Sequence, residues 1–245
     1  EGNIIELDKN GTMGTLGNVL DGIFLTVSST DNVVGTDGDG TSDALEGNLV
    51  ADNDNFGILV IGNSHNNVVA GNKVGLDAGD NAAGNFRYGV GISNSSGNRI
   101  GTNGDGVSDN LEANIVASNG MGGIGLYSTT FFSFNDATDD NIVAGNIIGT
   151  DATLSLDRGN TGAGVFIKGD VAAMSASDNI IGSNNDGSSG DAAEGNIITN
   201  NDTGITVIMQ DPGALIAGNK ISRNRIFQNA ALGIDIAQDG VTIND

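Results

Sequence analysis

Three loops gather acidic side chains at alternating positions with glycine between them. They read Asp37-Gly38-Asp39-Gly40-Thr41-Ser42-Asp43-Ala44-Leu45-Glu46, then Asn103-Gly104-Asp105-Gly106-Val107-Ser108-Asp109-Asn110-Leu111-Glu112, then Asn184-Asn185-Asp186-Gly187-Ser188-Ser189-Gly190-Asp191-Ala192-Ala193-Glu194. Oxygen ligands at alternate positions, with glycine for tight turning, suit Ca²⁺, which takes about 6–8 oxygens. The candidate ligands are Asp37, Asp39, Asp43 and Glu46 in the first loop, Asp105, Asp109 and Glu112 in the second, and Asp186, Asp191 and Glu194 in the third. The spacing departs from the EF-hand, because the glycine comes early and the closing Glu falls too soon. The competing reading is a solvated acidic loop whose Asp and Asn side chains bond their own backbone.

Other chemistry is sparse. His65 is the single histidine and sits in a turn, Gly62-Asn63-Ser64-His65-Asn66. Asp139-Asp140 is a paired carboxylate, but it precedes a strand phrase where the chain turns, which reads as a solvated turn. With no Trp and two Tyr, there is no obvious aromatic platform for sugar rings. The segment Tyr127–Phe134 is the one irregular apolar stretch; it is expected either to fold back over the outward face of the fold, the favoured reading, or to form a lateral contact patch.

Composition limits what could position these loops. The 245 residues include 40 Gly, one Pro and no Cys, yet 38% are apolar, too many for a chain that cannot bury a core. Nine basic residues against 31 acidic give a net charge of −22. Nucleic acid is therefore a poor partner, since counter-ion release needs Lys and Arg. Divalent cations or a weakly charged polysaccharide fit better. No apolar run approaches a membrane span.

Three phrases recur in fixed order. The first is Gly followed by alternating apolar residues, starting at Gly22, Gly57, Gly89, Gly123, Gly164, Gly204 and Gly233. The alternation is that of a half-buried strand, with pairs such as Ile58/Val60 and Ile124/Leu126 inward and a varied middle position facing solvent. The second is Asn-x-apolar, at Asn32, Asn67, Asn98, Asn141 and Asn179. Arg99, at its middle position, marks the outside. The third is Gly/Ala-Asn-x-apolar, at Asn3, Asn48, Asn72, Asn114, Asn146, Asn196 and Asn219. Three short strands per repeat predict a single all-β domain over 1–245, a right-handed parallel β-helix of about seven coils. Two inward columns of Asn would form amide ladders. The gap between the second and third phrases alternates 16, 5, 16, 5, 17, so long loops should alternate between two corners. That places the acidic loops in one row, about 10 Å apart by the strand spacing.

Gly145-Asn146-Ile147-Ile148-Gly149-Thr150-Asp151-Ala152-Thr153 resembles the "GNxIGTDATG" phrase of parallel β-helix arrays in large bacterial surface and secreted proteins. The resemblance implies an extracellular or cell-surface structural or adhesive module, joined end to end to flanking domains or to copies of itself, with cell-surface or matrix polysaccharide as a possible partner. The same architecture also carries polysaccharide lyases, hydrolases and epimerases, and a carbohydrate-active enzyme or calcium-dependent carbohydrate-binding module is the alternative. The basic residues here are scattered rather than facing an acidic cluster, and neither a Gly-His-Gly nor an Asp-Pro-His-Glu phrase occurs.

Overall fold

The structure is a computed structural model that describes residues 2–12, 18–129, 134, 136–169, 174–211 and 213–236. Strands of like phrase stack in parallel to make three sheets of seven, seven and six strands. The third-phrase sheet runs Ile4–Ile5, Leu49–Val50, Lys73–Val74, Ile115–Val116, Ile147–Ile148, Ile197–Thr199 and Arg225–Phe227. The Gly-led sheet runs Ile23–Leu25, Ile58–Ile61, Tyr88–Ser93, Gly122–Tyr127, Ala163–Gly169, Thr203–Met209 and Ile234–Ile236. The second-phrase sheet runs Val33–Gly35, Val68–Ala70, Arg99–Gly101, Ile142–Ala144, Ile180–Gly182 and Lys220–Ser222. The chain is thus a parallel β-helix of about seven coils with three strands per coil. No helix among the described residues is long and apolar enough to cross a membrane.

The core is a stack of aliphatic layers. Val50, Ile58, Val60, Val74, Val90, Ile92, Ile100 and their counterparts up the axis pack into one cluster and are buried. The phrase glycine is needed because the space inside each corner is taken. A Cβ on Gly57 would stand 2.6 Å from Val74 Cγ1 and 2.8 Å from the Asn85 amide.

Buried asparagine runs the length of the solenoid in three ladders rather than two. They are Asn3–48–72–114–146–196–224, Asn32–67–98–141–179–219 and Asn18–53–85–119–160–201–229. In each, the side-chain amide of one Asn donates to Oδ1 of the Asn in the next coil. Asn72, for example, donates both its backbone N–H and its Nδ2 to Asn114 Oδ1, at 3.0 Å each. Asn219 belongs to the second-phrase ladder, because Asn179 donates to it, and Asn224 takes its expected place in the third-phrase ladder. The two phrases are alike and five residues apart, the short-corner spacing.

Candidate functional site

The acidic loops do form one row, and they touch. The intervening coil turns with a glycine instead of a loop, so each acidic loop bends back across it. Gly71 N–H donates to the Glu112 carbonyl, and Gly145 N–H to that of Glu194, at 2.8 and 2.7 Å. The Glu112 carboxylate reaches Gly38 in the first loop, and the Glu194 carboxylate reaches Gly104 in the second. The 10 Å separation expected from strand spacing alone is closed by this lean.

Within each loop the closing Glu clips the opening of its own turn. Thr36 Oγ1 donates to Asp43 and Glu46, and Gly40 N–H donates to Asp43. Thr102 Oγ1 and Asn103 N–H donate to Glu112 at 2.8 and 3.0 Å, and Asn184 N–H donates to Glu194 at 3.0 Å. Much of the oxygen set is therefore engaged by the loop itself. Ligand oxygens of Asp37, Asp43 and Glu46 nonetheless lie within 4.8 Å of one another. No other such group occurs among the described residues, because Asn103 and Asn184 stand where the first loop has Asp37. Asp39, Asp105, Asp109, Asp186 and Asp191 join no group of three. Glu112 is fully buried and has its own cation, Arg99, at 3.2 Å. Val33 holds the corresponding position in the first coil, with no charge to offer.

The opposite row is built differently. Asp77 and Asp151 each start a loop and fold it around the carboxylate. Asp151 accepts from Thr153, Ser155 and Leu156 backbone N–H. Burial pushes its pKa up, but these bonds outweigh it and hold the carboxyl well below the usual range. Ala78 N–H donates to the Gly11 carbonyl and Arg158 Nε to that of Asp80, both 2.8 Å, so this row also stacks. Residues 13–17 of its first loop lie outside the described residues.

The outer face of the Gly-led sheet departs most from the sequence reading. Its middle positions are not a uniformly solvated column: Leu59 is 2% and Thr206 5% exposed, while Phe24 on the first coil remains exposed. Side chains from neighbouring strands cover the buried ones. Three carbons of the Tyr88 ring lie 3.2–3.3 Å from where a Gly125 Cβ would stand, so the ring lies face down on that glycine. Two Phe56 ring carbons stand 2.8 and 2.9 Å from where a Gly91 Cβ would be, so this ring also lies against a glycine. Phe56, Tyr88 and Phe166 form a row across the strands with successive centroids 6.1 Å apart and planes within 18° of parallel. Tyr127 flanks it, 6.4 Å from Phe56 and 6.1 Å from Tyr88.

This row floors a cleft of about 800 Å³. Val19, Leu20, Phe24, Phe86 and Met121 rim it and are exposed. Asp21, Asp54, Arg87 and Lys168 supply charge. Arg87 lies over the Phe56 ring at 5.8 Å. Asp21 accepts from Asn55 Nδ2 and Phe56 N–H, yet burial keeps its pKa raised. Burial pushes Tyr88 up to about 12 and Tyr127 higher still. Phe134 packs on the buried cluster of Phe56, Leu59 and Ile61 and lies over Gly62. Residues 130–133 of the Tyr127–Phe134 segment lie outside the described residues.

His65 and Asp139 are structural. His65 is half-buried, its Nδ1 accepting from Ser96 N–H and its Nε2 2.5 Å from Asn63 Oδ1. Asp139 accepts from Ser175 Oγ and Ser177 N–H, tying successive coils rather than lying free in a solvated turn.

No family model, curated protein or solved structure matches the chain.

Proposed function

We propose that the chain is an extracellular or cell-surface structural module, adhesive rather than catalytic, that forms a rod by stacking coils end to end with another copy of itself. The observation that supports this is the polarity of the asparagine ladders. Every coil accepts, through Asn Oδ1, the donors of the coil before it. Asn219, Asn224 and Asn229, on the last described coil, have backbone N–H groups with no acceptor among the described residues. Asn3, Asn18 and Asn32, on the first, have Oδ1 atoms with no donor there. The two faces are complementary donors and acceptors. They also differ in the balance of charge: the last described coil carries Lys220, Arg223 and Arg225 with Asp235, and the first carries Glu6, Asp8, Asp21 and Asp31 with Lys9. Sedimentation velocity over a concentration series tests the reading. Concentration-dependent linear association that weakens with salt and with the Arg223→Glu/Arg225→Glu variant is expected. A single monomeric species at every concentration in low salt overturns it.

A calcium ion belongs to the same reading at the first acidic loop alone, where Asp37, Asp43 and Glu46 converge without the cation that Arg99 supplies to Glu112. Calorimetric titration is expected to find one calcium ion per chain, lost in Asp43→Asn. Unchanged heats in both proteins overturn the proposal.

A further inference from the structure

We propose that the cleft side of the Gly-led sheet pairs two copies of the chain side by side, antiparallel, about a two-fold axis. The centre of the face lies on the third and fourth coils, so this pairing stands apart from end-to-end stacking.

The face is built at one corner. The two residues after each Asn of the third ladder turn the chain toward the Gly-led sheet. They are Val19-Leu20 in the first coil, Phe86-Arg87 in the third and Gly120-Met121 in the fourth. In the next coils the same places hold Thr161-Gly162 and Asp202-Thr203, so the apolar run stops there. Val19, Leu20 and Phe86 are 66–77% exposed, and Met121 is 46%. Such side chains scattered singly are ordinary, whereas a group of them around one hollow marks a contact surface.

Charge selects the occupant. At −22, two copies repel over most of their surface, and a basic partner would be drawn to the acidic loops. On this face Asp21 and Asp54 are matched by Arg87 and Lys168, so an acidic chain meets no net charge here. The set is also self-complementary, as a two-fold contact must be. Arg87 is exposed, lies over the Phe56 ring and has no ion pair among the described residues. Its planar fork is thus left for a carboxylate. The two-fold presents Asp21 of the other copy, whose second oxygen accepts no hydrogen bond among the described residues. Phe86 stands on the rim of a hollow of about 800 Å³, so each copy offers both a projecting ring and the space that receives one.

Sedimentation velocity of the Arg223→Glu/Arg225→Glu protein in high salt suppresses end-to-end growth and reads the lateral contact alone. A monomer–dimer equilibrium that closes at two chains and persists in salt is expected, because apolar burial holds it. Met121→Ser is expected to weaken the dimer about tenfold, and Phe86→Glu to abolish it. Both side chains are exposed in the single chain, so circular dichroism and the melting temperature should stay unchanged. A monomer at every concentration, or a dimer that survives Phe86→Glu, overturns the proposal. Growth beyond two chains overturns the two-fold closure. Stacking is read separately, from the salt-sensitive association of the unaltered protein, so either contact can fail without the other.

Discussion

The Glu112 carboxylate occupies the space directly outside the Gly38 Cα, joining two acidic loops that belong to alternate coils. Gly38 has φ +73°, which already favours glycine, and any Cβ there would collide with the carboxylate. Gly38→Ala is expected to cost roughly 1–3 kcal/mol from backbone strain alone, plus displacement of Glu112. Glu112→Ala leaves Asn103 N–H without its acceptor and Arg99 without its carboxylate, though Arg99 keeps the Gly101 carbonyl and Thr102 Oγ1 keeps Asp109; losing one partner of this buried pair should cost roughly 3–5 kcal/mol. The double variant should cost less than the sum, since the collision disappears with the carboxylate. Urea denaturation of all four proteins measures the coupling, and strict additivity would refute the contact.

The ladders make a positional prediction. Asn114→Ala removes the acceptor of the buried Asn72 backbone N–H, costing roughly 1–3 kcal/mol when left unpaired, while Asn72 Nδ2 keeps the Val34 and Ala70 carbonyls as acceptors. Asn32→Ala, on the exposed first coil, leaves no donor below it unpaired, and its loss should fall under about 1 kcal/mol. Because each coil touches only its neighbours, hydrogen exchange should show the Asn114 loss concentrated in the flanking coils.

Much of this was readable beforehand because the solenoid imposes identical demands on each coil. Apolar residues at alternate positions, Asn at the head of a strand and alternating loop lengths are periodic, so they show in a single sequence. The third ladder is equally periodic: Asn53, Asn85, Asn119 and Asn160 each stand four residues before a strand glycine. It is hidden because turns favour Asn anyway. The cleft is not periodic. Phe56 precedes its strand, Tyr88 begins one, Tyr127 ends one and Phe166 sits mid-strand. The rings converge because Gly91 and Gly125 leave room for side chains leaning across from neighbouring strands, and nothing in linear spacing encodes that lean.

Acid should unfold the row opposite the acidic loops first. The Asp151 pKa is lowered by hydrogen bonds that exceed the effect of burial, and Asp77 is lowered in the same sense by Asn81 and Gly79 against burial. A carboxyl with a depressed folded pKa contributes stability above its unfolded value, about 3.9, and loses it as pH falls through the folded one. Stability should therefore decline below about pH 4, and Asp151→Asn should flatten that decline while lowering stability at neutral pH. Thermal melts of both proteins between neutral and strongly acidic pH test this; parallel curves would contradict it.

The alkaline limb isolates the cleft. Tyr88 is raised to about 12 by burial, against a small lowering by the Arg87 charge, and Tyr127 is raised further by burial and by Tyr88. These are the only phenols in the chain. A native protein should thus show almost no phenolate absorbance near pH 10, where the urea-unfolded chain titrates both groups. The sign follows from linkage: the folded state holds its phenol protons more tightly. The stability they lend is complete below the unfolded value and is lost as pH rises from about 10 toward the folded values. Tyr127→Phe should leave a single native titration near the Tyr88 value and remove part of the alkaline decline. Tyr88→Phe should leave only the higher one. A phenol titrating near pH 10 in the folded protein would mean that its ring is not packed on the glycine-lined floor as described.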